Sequence, residues 1–149
     1  MISALRRGRL EDLPAIASLH SECFAEGWGA EFLGRLLAQP GAFSAIAFEL
    51  DLPAGFLLAR VNAGEAEILS LGVRPSSRRR ALGTALVQNA LEHASSAGAM
   101  EVYLEVGVEN AAARSLYSRL GFREVGLRSA YYGQGSGPRS DALILRRAV

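Results

Sequence analysis

The chain has 149 residues, half of them hydrophobic and 21% charged, with a formal net charge of +1. That length suits one domain with a self-sufficient core, expected over residues 1–149. The near-neutral balance gives no electrostatic case for a nucleic-acid or membrane-surface partner. The single cysteine, Cys23, excludes an internal disulfide and suits a reducing cytoplasm, and no stretch has the apolar length of a membrane span or a signal-peptide core. All 16 basic residues are Arg.

Taken in chain order, residues 4–7 read as a short strand. Asp12 is placed as an N-cap with Pro14 in the first helical turn, and Leu13, Ile16, Ala17, His20 and Phe24 follow one amphipathic stripe. A second helix is expected over residues 31–38, ended by Pro40. Residues 43–50 and 55–61 read as strands joined by a turn at 51–54, and residues 66–73 as a third strand that stops before Pro75. Gly83, Leu86, Val87, Ala90, Leu91 and Ala94 mark a helix that ends near Gly98. A strand over 100–106, a helix over 110–120 closed by Gly121, and strands over 122–128 and 142–147 complete the chain. The intervening 133–140 is a loop rich in Gly, Ser and Pro. This order predicts an α/β fold: a central mixed sheet of about seven strands with helices on both faces, parallel where a helix intervenes.

The most informative turn is Arg78-Arg79-Arg80-Ala81-Leu82-Gly83-Thr84, which leads from the strand at 66–73 into a helix. Free N–H groups at a helix N-terminus, with three guanidinium groups beside them, suit phosphate, although a solvated basic turn has the same composition. Leu71-Gly72-Val73 closes the strand before it, and Gly72 is compatible with a bulge or a close backbone approach. Glu105 alternates with Val102, Leu104 and Val106, so it faces away from them. Asn110 is a good N-cap. Tyr117 shares a stripe with Ala113, Leu116 and Leu120, where packing alone accounts for a tyrosine. His20 lies on an apolar stripe and His93 on an exposed helix face, so neither they nor Cys23 has metal-ligand spacing, and no metal is expected.

Leu104-Glu105-Val106, then Asn110, Ala113, Tyr117, Gly121 and Phe122 at their spacing, resemble the GCN5-related N-acetyltransferase (GNAT) superfamily, in its RimI branch. Phe24 with Trp28, Arg128 with Tyr131 and Tyr132, and Asp141-Ala142 extend the resemblance over nearly the whole chain. It implies a GNAT fold and acetyl transfer from acetyl-CoA to a primary amine, directly within a ternary complex and without a metal. It assigns Glu105 as general base and Tyr117 as general acid. Leu71, Gly72, Val73, Arg78, Arg79, Arg80, Ala81, Leu82, Gly83, Thr84 and Asn110 would hold acetyl-CoA, and Trp28, Tyr131 and Tyr132 the acceptor.

The acceptor that the branch implies is the terminal alanine of a small-subunit ribosomal protein. A small-molecule amine acetyltransferase and a non-catalytic CoA-binding module are the competing readings. Two positions depart from the pattern. Ala81 stands where the family has Gly, which strains the turn if φ there is positive, and Gly107 stands where it has Arg.

Overall fold

Alternating and helical hydrophobic periods resolve into seven strands and four helices in the computed structural model, which describes residues 2–78, 81–129 and 141–149. Arg79, Arg80, Tyr131, Tyr132 and the loop at 133–140 lie outside the described residues. The elements are β1 (Ile2–Arg7), α1 (Leu13–Cys23), α2 (Ala30–Leu37), β2 (Ala42–Glu49), β3 (Leu52–Asn62), β4 (Glu65–Val73), α3 (Leu82–Ser96), β5 (Glu101–Gly107), α4 (Ala111–Arg119), β6 (Arg123–Arg128) and β7 (Ala142–Ala148). The strands form one sheet in the order β1-β2-β3-β4-β5-β7-β6.

β4 and β5 pair in parallel across α3, as expected. β1 and β2 do not follow that rule: α1 and α2 intervene, yet the strands are antiparallel. A pair of helices returns the chain to the end of the sheet from which it left, whereas a single crossover helix does not.

The β2–β3 connection is also tighter than the turn expected at 51–54. Leu50 and Asp51 both take positive φ, 50° and 62°, which makes a two-residue hairpin with Glu49 opposite Leu52. Pro53 therefore lies inside β3, beside a register shift at Ala47/Phe48, where a missing N–H is tolerated. Asp12 sits at the N-terminus of α1, but its side chain does not cap that helix. Its carboxylate instead accepts from Arg6 at 2.7 and 3.0 Å and from the Arg9 N–H at 2.7 Å, which ties α1 to β1. The Arg6 guanidinium foremost, then the Arg9 amide, hold this carboxyl below the usual carboxylate range against the cost of its burial.

The pleat sends alternate residues to two cores. One face carries Ala45, Leu57, Ala66, Ile68, Val102, Leu104, Val106, Leu143 and Leu145 against Leu82, Leu86, Val87, Ala90 and Leu91 of α3 and Tyr117 of α4. The other carries Ile46, Phe56 and Leu58 against Ile16, Leu19 and Leu33 of α1 and α2. Each fully buried Leu or Phe contributes about 1.5–3 kcal/mol, so the central strands are fixed from both sides. His93, expected on an exposed face, is half-buried: its ring meets Phe43 at 4.1 Å and its Nδ1 contacts Arg7.

Candidate active site

The sheet opens where the sequence motifs converge. β4 and β5 pair only from Glu65/Glu101 to Ile68/Leu104, although β4 runs on to Val73 and β5 to Gly107. The wedge begins at a bulge. Leu58 faces Ser70 and Ala59 faces Ile68, which leaves Leu69 as the extra residue. The bulge thus falls at Leu69, and Gly72 serves the other role considered for it, close approach. A Cβ on Gly72 would lie 2.5 Å from the Phe56 ring and 3.0 Å from Cys23 Sγ.

The hydrogen-bond ladder sets which backbone groups face the wedge. The Arg74 N–H donates to Ala54 O at 2.9 Å, so the alternate positions Leu71 and Val73 direct their N–H and C=O groups away from β3 and toward the gap. Val73 O there accepts from Arg78 Nε at 2.9 Å and from Cys23 Sγ at 3.4 Å. Burial pushes the Cys23 thiol above its ordinary value despite nearby Arg78, so it is no ready thiolate nucleophile.

α3 begins beside the open end of β4. Its N-cap, Ala81, has φ 64° and ψ 11°, the left-handed region in which the family's Gly costs nothing and Ala is strained. Ala81 O accepts from Ala85 N at 3.0 Å, and the amides of Leu82, Gly83 and Thr84 form the first, unpaired turn of the helix, a natural cradle for phosphate oxygens. Gly83 lets α4 come close: a Cβ there would lie 3.3 Å from Leu116, the neighbour of Tyr117. An array of gap-facing backbone amides ending at a helix N-terminus fits an extended amide chain carrying phosphates.

Glu105 and Tyr117 lie on opposite faces of the sheet. Glu105 projects from the face opposite Val102, Leu104 and Val106, with its side chain 37% exposed. Both carboxylate oxygens accept from Arg128 Nη1, at 3.1 and 3.2 Å. Tyr117 lies in the α3/α4 core, edge-on to Phe122 at 5.5 Å, and burial pushes its phenol up to about 12. Asn110 caps α4, its Oδ1 accepting from Ala113 N at 3.1 Å.

Trp28, in the α1–α2 loop, is held by a residue that sequence reasoning had set aside. His20 is buried and stacks on Trp28 at 4.6 Å and Phe24 at 4.5 Å, and its Nδ1 accepts the Trp28 backbone N–H at 3.0 Å. Burial lowers its pKa, which favours the neutral ring this acceptor role needs. Arg128 was legible only as part of the resemblance. Its place over Glu105 depends on β7 lying between β5 and β6, which no local pattern encodes.

Among the described residues, no group of three His, Cys, Asp or Glu side chains is arranged to hold a metal. No helix there is long and apolar enough to cross a membrane. A groove of about 590 Å³ between α4, β6 and β7, lined by Arg114, Ser118, Arg123 and Glu124 among others, contains none of the expected site residues.

A splayed parallel pair with a helix N-terminus at its mouth suits an extended thioester carrier that bears phosphates. The chain belongs to the acetyltransferase (GNAT) family, whose model matches residues 13–122, and it is an acetyl-CoA-dependent N-acetyltransferase of the RimI type. It is 32% identical over 143 residues to the [ribosomal protein bS18]-alanine N-acetyltransferase of Escherichia coli K12, covering 90% of this chain and 89% of that one. It is 29% identical over 144 residues to the N-alpha-acetyltransferase of Sulfurisphaera tokodaii, covering 88% and 86%. The crystal structure of the Escherichia coli ribosomal-protein-S18-alanine N-acetyltransferase superposes with a TM-score of 0.87 at 28% identity, covering 99% of this chain and 94% of that one.

Proposed function

We propose that the chain acetylates the N-terminal alanine of a small-subunit ribosomal protein, acting in the cytoplasm as a single domain. The observation that carries this reading is the parting of β4 and β5 beyond Ile68/Leu104, where Glu105 is the next residue of β5 on one face of the sheet and Tyr117 is buried in the core on the other. The Escherichia coli relative, named for that acceptor, supports the choice of substrate.

Acetyl-CoA supplies the acetyl group as a thioester. The backbone groups of Leu71, Gly72 and Val73, the turn Arg78 to Thr84 and Asn110 would bind it, with the α3 amides and the guanidinium groups on its phosphates. Trp28, Tyr131 and Tyr132 would hold the acceptor. The acceptor arrives as an ammonium, and Glu105, through a water, takes its proton so that the nitrogen lone pair can attack the carbonyl carbon. As the new C–N bond forms and the C–S bond breaks, Tyr117 gives its proton to the departing sulfur. A phenol kept protonated by burial is available as a donor at any physiological pH. The remaining contribution is orientation of the two substrates in one site.

Acetyl transfer to a short peptide beginning with Ala, beside the same peptide blocked at its N-terminus and a panel of small amines, tests this. Transfer to the free peptide alone is expected. Transfer to small amines alone keeps the mechanism and overturns the acceptor. Acetyl-CoA binding without transfer to anything makes the chain a binding module.

A further inference from the structure

Glu105 meets one cation among the described residues, and that contact crosses an entire strand. In the β7 register Glu105 faces Ile144 and Gly107 faces Ala142, while on the other side Arg128 faces Ala142. Arg128 is therefore two strands away from Glu105, about 10 Å at the usual strand spacing, and two residues further along the ladder. A side chain spans this only if nothing stands in its path. The path crosses β7 between Ala142, with only a methyl group, and Ile144, which faces Glu105, and it skirts Gly107, around whose Cβ position there is nothing within 4 Å. The Arg that the family pattern has at 107 would fill that space and bring a second cation beside the carboxylate.

Among the described residues, several nearby polar groups have partners of their own. Tyr103 donates to Glu101 at 2.7 Å, and Arg146 lies 3.7 Å from the same carboxylate. Arg114 pairs with Glu124 at 3.2 Å. Arg128 itself uses a single nitrogen, Nη1, for both Glu105 oxygens, which leaves lone pairs on each oxygen for water.

We infer that Arg128 is a positioning residue for the reaction: by reaching across β7 it holds the Glu105 carboxylate at the mouth of the β4–β5 gap, in the orientation from which it takes the acceptor's proton. This rests on the reading of Glu105 as the base. Arg128 touches neither the acetyl group nor the amine in this role; it acts through Glu105. As a surface ion pair the contact adds little to stability, so its consequence is catalytic rather than structural.

A double-mutant cycle separates the possibilities. kcat and the KM for acetyl-CoA are measured for the wild type, Arg128→Ala, Glu105→Gln and the double variant, with residual turnover followed by radiolabelled acetyl transfer and folding checked by thermal melts. Arg128→Ala is expected to lower kcat by about 10-fold or more, with the acetyl-CoA KM and the melting temperature little changed. In the Glu105→Gln background the same substitution is expected to cost nothing further, because the group it positions is gone. Full kcat in Arg128→Ala beside an inactive Glu105→Gln overturns the inference and leaves the base assignment standing. Equal losses in both backgrounds overturn it too, since Arg128 then acts other than through Glu105. Full activity of Glu105→Gln removes the base assignment, and the inference with it.

Discussion

Packing suits Tyr117 to the acid role proposed for it, because burial keeps the phenol protonated. A buried phenol with its acidity pushed to about 12 stays neutral, and the T-shaped contact with Phe122 fixes its ring. Tyr117→Phe keeps that packing and removes only the hydroxyl. We expect the acetyl-CoA KM to hold while kcat falls by about 100-fold or more; steady-state kinetics check this, and an unchanged kcat under chemistry-limited turnover ends the acid assignment. The same group gives a stability prediction. Its folded pKa is raised from 10 to about 12, so its contribution is complete below pH 10 and is lost as pH rises through about 12. Urea titrations across that window should show the wild type losing roughly 2–3 kcal/mol more than Tyr117→Phe. Ala81 carries the opposite kind of burden. At φ 64° it pays steric strain that Gly does not, so Ala81→Gly should raise stability by about 0.5 kcal/mol after the extra chain entropy of Gly, read from the urea midpoint. Its consequence was legible in the sequence only conditionally, because the sign of φ is a property of the turn and not of the residue.

At the scale of elements, the proposed site is the place where β4 stops pairing with β5 beyond the bulge at Leu69, and a small residue, Gly72, lets the freed strand end pack closely. Gly72 has Phe56 and Cys23 against it, at 2.5 and 3.0 Å from a hypothetical Cβ. One of these contacts is a ring in the core, which cannot swing aside. Gly72→Ala should therefore destabilise by about 1–3 kcal/mol and disturb the strand end that presents Leu71 and Val73 to the gap. Chemical denaturation measures the first effect and the KM for acetyl-CoA the second; a variant with wild-type stability would mean that α1 can shift away from β4. The strands and helices themselves were legible because each carries a strong period, and their ends fell within a few residues of expectation. The bulge at Leu69 was not, because a one-residue offset between partners becomes visible only when both strands are aligned. The hairpin at Leu50-Asp51 was missed for a different reason: Pro53 reads as a turn residue unless a neighbouring register shift excuses its missing N–H.

On the scale of the whole molecule, the sheet joins two cores, and Trp28, proposed above to hold the acceptor, packs against the smaller one. The order of the elements made the α/β sandwich legible, whereas the insertion of β7 between β5 and β6, which brings Arg128 near Glu105, was not. His20 joins the smaller core to the α1–α2 loop that carries Trp28. Its ring is stacked between Phe24 and Trp28, and its Nδ1 can accept the Trp28 N–H only while deprotonated. Burial depresses its pKa in the folded state, so the unfolded chain binds the proton more readily. The stability this supplies is present above the unfolded value of 6.5 and is lost as pH falls through the folded value. His93 is depressed in the same direction, by burial and then by Arg7, so the wild type alone does not isolate either group. His20→Phe does, because it keeps the stack, cannot protonate and leaves His93 in place. Unfolding followed between pH 7 and 5, by far-UV dichroism and by fluorescence of Trp28, the chain's single tryptophan, should show the wild type losing more stability than His20→Phe. Equal losses in the two proteins would mean that His20 stays neutral throughout and that the acid sensitivity lies at His93. Coincident transitions by the two probes would establish that the α1/α2 layer and the rest of the sheet unfold together, as expected where Phe56 and Leu57, neighbours on one strand, anchor opposite cores.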